Sequence, residues 1–193
     1  MSRLASRKSF AQCVAERREL FALDELEAPM GRAVDALTTS LRSGGRVFFF
    51  GNGGSAAQAQ HLAAELSGRF LLDRQAYAGL ALTVDTSALT AIANDYGYDH
   101  VFARQLEGLA RPGDVAVGLT TSGESANVVS GLRVARAKEA ITVAFSGNGG
   151  GTVAREADIA LVGPAGPSWK VQEVHLALGH ILCELVEAAL VAS

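Results

Sequence analysis

Cysteine, surplus positive charge and long apolar runs are all scarce in this chain. Two cysteines in 193 residues, Cys13 and Cys183, make neither a disulfide framework nor a zinc-finger spacing. Both stand among helix-like residues and read as buried free thiols. A net charge of −3 leaves no basic face, which excludes binding of a nucleic-acid backbone as the main task. Apolar runs such as Val47–Phe50 fall far short of a bilayer's width. Met1-Ser2-Arg3-Leu4 leads into charge and not into an apolar signal core. These absences point to a cytoplasmic protein with no membrane and no nucleic-acid partner. Charged residues are only 19%, against 49% hydrophobic residues, so the chain has material for one core and is not disordered.

Glycine is what the chain has in plenty: 21 residues, and clustered. Residues 3–24 carry Phe10, Val14 and Phe21 at helical spacing. Pro29 suits the first turn of a second helix, with Met30, Val34, Leu37 and Leu41 as one stripe. From residue 45 the pattern alternates. Strands are expected at 46–50, 79–84, 114–119, 140–145 and 158–162, with helices at 55–69, 87–94 and 125–138 and a long terminal helix at 169–191. Alternation of this kind predicts an α/β fold: a doubly wound five-stranded parallel sheet flanked by helices, preceded by an N-terminal helical hairpin. The two leading helices and the apolar last helix carry more apolar surface than one sheet covers, so residues 1–44 are expected to pack between subunits of a homo-oligomer.

Two loops at strand ends carry the chemistry. Gly51-Asn52-Gly53-Gly54-Ser55 follows the first strand. Its glycines let backbone N–H groups approach a ligand, and Ser55 suits the cap of the next helix, whose N-terminus favours an anion. The same stretch fits a dinucleotide fingerprint, Gly51-x-Gly53-x-x-Ala56, but the acidic residue which that reading needs at the end of the next strand is missing: Asp73 comes too early and Asp85 too late. The second loop, Thr120-Thr121-Ser122-Gly123-Glu124-Ser125, puts four hydroxyls at the start of another helix, which suits a phosphate monoester better than a plain turn does. A third cluster, Gly147–Gly151, reads as a turn without ligand contact.

His61 and Glu65 stand at i and i+4, about 6 Å apart along one helix face. That spacing suits two ligands of one metal ion, an acid–base pair or a plain surface pair. The last helix carries Gln172, Glu173, His175 and His180 in apolar surroundings. His175 reads as a satisfied core histidine. Gln172 and His180 are about 12 Å apart along the axis and about 80° round it, so one straight helix strains to bring both to one ion. Asn94-Asp95 suits either sugar hydroxyls or a turn cap.

Taken together, Gly51–Ser55, Ala59-Gln60-His61-x3-Glu65, Ala93-Asn94-Asp95-Tyr96-Gly97-Tyr98, Thr121-Ser122-Gly123, Gln172-Glu173-Val174-His175 and Gly179–Glu187 resemble the phosphoheptose isomerases of the sugar isomerase (SIS) superfamily. The resemblance runs through nearly the whole chain and implies a single SIS domain over 1–193. It implies a cytoplasmic homotetramer that isomerises sedoheptulose 7-phosphate to D-glycero-D-manno-heptose 7-phosphate, for lipopolysaccharide or other heptose conjugates, with one zinc ion per subunit. By resemblance, His61, Glu65, Gln172 and His180 match the zinc ligands, and Glu65 and His180 the acid–base pair. Asn52, Gly53, Gly54, Ser55, Glu65, Asn94, Asp95, Thr120, Thr121, Ser122, Ser125 and Gln172 match substrate-contacting positions. Gln58, Glu124, Arg74–Tyr77 and Trp169-Lys170 depart from the family's usual residues. A carboxylate at 124 repels a phosphate unless it points away. Three alternatives compete with this reading: an isomerase of a related ketose phosphate such as an octulose phosphate, a non-catalytic SIS protein that binds the replication initiator, and a nicotinamide dehydrogenase.

Overall fold

Five short strands, each bounded by glycine or polar turns, form one parallel sheet. A computed structural model describes residues 8–21 and 23–192. The strands are β1 (Val47–Gly51), β2 (Gly79–Ala81), β3 (Val115–Leu119), β4 (Ile141–Ser146) and β5 (Ile159–Val162), in the order β2-β1-β3-β4-β5. β1 pairs with β3 from Val47↔Val115 to Gly51↔Leu119. The chain winds outward from β1 to β2 on one side and through β3, β4 and β5 on the other. Connections after β1 and β3 therefore leave in opposite directions, and a crevice opens between them.

β1 is apolar on both sides because both sides are covered. Val47 and Phe49 join one core with α2 (Glu27–Arg42), α3 (Gly54–Ser67) and α8 (Ser168–Val191). Phe48 and Phe50 face the other, with α5 (Ala103–Leu109) and α6 (Ala126–Ala137). A continuous apolar strand is what two-sided burial requires. α4 (Thr86–Tyr96) and α7 (Gly151–Glu156) complete this second layer.

Several expectations are corrected in detail. The single helix expected over 3–24 is α1 (Phe10–Arg18), capped by Ser9, followed by a 3-10 turn at Glu19–Phe21; residues 3–7 lie outside the described residues. The change of helix type turns Leu20 into the core, while α1 buries none of its own side chains. α1 is tied to α8 by Arg17, whose Nε donates to Glu173 at 3.0 Å and whose guanidinium lies over Trp169. β2 stops at Ala81, three residues before the expected end. α5 and α7 were not expected: both are one to two turns long and sit in stretches dominated by loop signals. By length and composition α8 could also cross a bilayer, a test that a buried core helix passes as well. Nine of its residues are nevertheless buried, among them Val171, Val174, Leu178, Leu182 and Val186.

Glu187 fastens the segment after α3. Its carboxylate accepts the N–H groups of Phe70, Leu71 and Leu72 at 2.7–3.0 Å and Arg74 Nε at 2.9 Å, with both side chains at most 4% exposed. Arg74 also donates to the carbonyls of Glu65, Leu66, Gly68 and Gln75. Burial alone would raise the Glu187 pKa, but these backbone donors and Arg74 outweigh it and hold it below the usual carboxylate range. Its contribution is thus present above the unfolded carboxylate pKa of about 4.3 and is lost as pH falls through the lowered folded value. Glu187→Gln should be about 3 kcal/mol less stable than the native chain at neutral pH. Below about pH 5 the native chain should lose urea resistance more steeply than the variant. Equal urea midpoints at neutral pH would remove this role.

Candidate active site

α3 and α8 run side by side in the same direction, and the site is built along their contact. Gly179 makes the close approach possible: a Cβ there would lie 2.6 Å from Leu62 Cδ2. At the start of both helices Gly54 does the same for the Gln172 amide, which would be 2.5 Å from an added Cβ. Between these points Gln58 Nε2 donates to the Gln172 carbonyl at 2.6 Å.

One end of this helix pair is a polar cleft of about 280 Å³, lined by Asn52, Gly53, Gly54, Ser55, Leu119, Thr120, Thr121, Ser125, Ser168 and Gln172. Gly53, with φ +55°, caps α3, so the expected Ser55 cap is corrected: Ser55 lies inside the first turn, buried against the cleft. In the second loop the hydroxyls bond one another. Thr120 Oγ1 meets Ser125 Oγ at 2.8 Å and Ser122 Oγ at 3.3 Å, and Thr121 Oγ1 donates to Ser168 Oγ at 3.2 Å. Ser125 caps α6 without a side-chain cap bond, which leaves its hydroxyl to the loop. Ser122 is exposed and lies outside the cleft lining. Sequence reasoning missed Ser168, which carries no motif of its own. A dinucleotide reading fails on geometry, since β2 is followed by Leu82-Thr83 and Asp85 caps α4.

Glu124 points away from the cleft. Its carboxylate accepts the Thr152 N–H at 3.0 Å and the Thr152 hydroxyl at 2.6 Å, and these bonds keep its pKa below the usual range. The third glycine cluster therefore does more than turn. It brings Thr152 to Glu124, and Asn148 Nδ2 donates to the Thr121 carbonyl at 2.9 Å. Asn148 sits at φ +52°, a conformation that asparagine tolerates.

Two turns along α3, His61, Glu65 and His180 converge. His61 Nε2 is 2.8 Å from His180 Nε2 and 3.2 Å from Glu65 Oε1. Their donor atoms all lie within 4.8 Å of one another, so the three can hold one metal ion. Gln172 stands at the cleft end, beside Gly54. Asn94 and Asp95 lie exposed at the end of α4, bonded to each other at 2.8 Å and outside the cleft lining. Phe70 packs its ring 5.8 Å from His180, and Arg74 holds the Glu65 carbonyl at 2.8 Å. His175 is a fully buried core histidine, Nε2 on the Ser146 carbonyl at 2.9 Å and its pKa lowered by burial, but its buried Nδ1 has no hydrogen-bond partner, so the expected satisfied histidine is corrected to a half-satisfied one. The Cys183 thiol, buried near Glu65, is pushed up to about 12 chiefly by burial, so it is no nucleophile at neutral pH.

Gly179→Val should force α3 and α8 apart, at a cost of about 1–3 kcal/mol. Urea denaturation should show that loss, and NMR should show the contact between the His61 and His180 rings disappear. A variant of native stability with the ring contact intact would refute the close-packing account.

With this geometry in view, comparisons with known proteins are specific. The SIS domain model matches residues 10–147. Phosphoheptose isomerase of Paramagnetospirillum magneticum is 50% identical over 179 residues, covering 92% of this chain and 93% of its own. That of Aquifex aeolicus is 53% identical over 151 residues, covering 78% of this chain and 79% of its own. The solved phosphoheptose isomerase of Neisseria gonorrhoeae superposes with a TM-score of 0.83 at 40% identity, over 93% of this chain and 95% of its own. The chain belongs to the SIS domain family and, within it, to the phosphoheptose isomerases.

Proposed function

We propose that this enzyme interconverts sedoheptulose 7-phosphate and D-glycero-D-manno-heptose 7-phosphate. One observation carries the reading: an anion cleft and a carboxylate–imidazole cluster lie at two points of one helix pair, separated by the length of the substrate. From Gly54 to His61 is seven residues, about 10 Å of helix. From phosphorus to C1, a seven-carbon chain of bonds of about 1.5 Å, zigzagging, spans roughly the same distance. The relatives' name supports a phosphorylated heptose as the substrate.

In this reading the phosphate is gripped by the N–H groups at the start of α3 and by Thr120, Thr121, Ser125 and Ser168. Binding there orients the far end of the sugar. Glu65 removes a proton from C1 of the ketose, and the electron pair forms the C1–C2 double bond while His180 protonates the C2 oxygen. The enediol then returns its O1 proton to His180. C1 becomes the carbonyl carbon, and Glu65 delivers its proton to C2. The same two groups thus end as they began, and the product is the aldose.

Zinc fits the donor set: two imidazole nitrogens and a carboxylate oxygen are ligands it favours, and three protein ligands leave one position open. His61, Glu65 and His180 would hold it, with Glu65 and His180 leaving it while they carry a proton, and it would polarise the substrate's carbonyl and hydroxyl oxygens. Exposed Phe10, Phe21, Ile181 and Leu185 support the expected homotetramer.

A panel of five- to eight-carbon ketose phosphates followed by NMR should show turnover fastest with the seven-carbon ester. Faster turnover of an octulose phosphate would transfer the assignment to that sugar. Glu65→Gln and His180→Gln should each lower kcat about 10²–10⁴-fold, and near-normal rates in both would defeat the acid–base pair. Purified protein should carry zinc by elemental analysis, and His61→Ala should carry less than a tenth as much. Native protein that takes up no zinc would overturn the metal assignment.

A further inference from the structure

Asn52, at the lip of the cleft, is held by two residues that sequence reasoning did not connect with it. Asn52 Nδ2 donates to Asn127 Oδ1 at 2.8 Å, and Asn127 Nδ2 donates back to Asn52 Oδ1 at 2.8 Å. Asn127 is only 3% exposed and lies in the first turn of α6, so a rigid element and not solvent sets the plane of the amide pair. A third bond comes from the turn after α4: the Tyr98 hydroxyl donates to the same Asn52 Oδ1 at 3.1 Å.

Counting valences gives this arrangement its meaning. A carbonyl oxygen accepts two hydrogen bonds and an amide nitrogen donates two. Asn52 Oδ1 is filled by Asn127 and Tyr98. One Nδ2 hydrogen is spent on Asn127, which leaves one hydrogen for the cleft that Asn52 lines. Toward a ligand Asn52 is a donor only, the polarity that an oxyanion or a carbonyl oxygen needs. Without its two partners the amide is free to rotate and present its oxygen, which an anion repels.

We infer that Tyr98 and Asn127 are positioning residues that lock Asn52 as a hydrogen-bond donor to the sugar phosphate, an inference that rests on the substrate class proposed above. Tyr98 is 58% exposed, so core packing does not account for it. Its hydroxyl links the α4–α5 connection to the β1 turn, and Asn127 links α6 to the same turn.

Four proteins test this: native, Tyr98→Phe, Asn52→Ala, and Tyr98→Phe combined with Asn52→Ala. Calorimetry gives Kd for inorganic phosphate and for sedoheptulose 7-phosphate, and steady-state kinetics separates KM from kcat. Loss of one hydrogen bond in Tyr98→Phe should raise Kd and KM about three- to tenfold, with the loss falling on KM and not on kcat and the urea midpoint unmoved. In the Asn52→Ala background the same change should add nothing, because Tyr98 acts through Asn52. Asn127→Ala should also raise Kd. An unchanged Kd in Tyr98→Phe overturns the inference. So does a further loss in the Asn52→Ala background, which would put Tyr98 on the ligand itself. If native protein binds both phosphates and isomerises no ketose, the isomerase reading falls while the binding comparison still decides this one. If it binds neither, both fall.

Discussion

The contact between α3 and α8 is the constraint on which the rest depends. Two helices approach this closely only where a side chain is missing, and Gly54 and Gly179 supply the two gaps. Everything in the site is then placed by helix geometry. Gln172 falls beside the first turn of α3, and His180, two turns later, falls beside His61. Rigid elements hold catalytic geometry more tightly than loops, because each rotamer is pinned by its neighbours. Phe70 and the Arg74–Glu187 pair extend that support behind the cluster, tying the end of α3 to the second half of α8.

Charge is managed by direction more than by composition. The polar cleft of this acidic chain is free of the nearby carboxylate of Glu124, which is turned onto Thr152. What faces the cleft is backbone N–H, hydroxyl and amide, all neutral and fixed in place. Such a lining gives up the long-range pull of lysine or arginine and gains orientation, since each donor has one direction only.

Much of this was legible in the sequence. Strand and helix alternation gives the sheet, since a buried parallel strand must be apolar on both sides, as Val47–Phe50 are. His61 and Glu65 announce themselves by a four-residue spacing along one helix. Other parts depend on contacts between residues far apart in the chain. Nothing local links Asn52 to Asn127 or Tyr98, or marks Ser168 as part of the cleft. The direction of Glu124 was open because it depends on where Thr152 arrives. Gln172 was harder still: its spacing from His180 left open whether the two side chains converge or a neighbouring subunit completes the site, and Gln172 lies beside Gly54 in the cleft. α5 and α7 escaped because helices of six or seven residues rest on tertiary packing and not on local periodicity.

The site draws on the two distant ends of the fold's sequence order: α3 is the first helix after the sheet begins, and α8 is the last element. During synthesis on the ribosome, a nascent chain that has completed all five strands still has neither His180 nor the cover for Leu62. Its α3 lacks the α8 cover over Leu62 until the final segment emerges. That cover and the meeting of His61, Glu65 and His180 therefore arrive together.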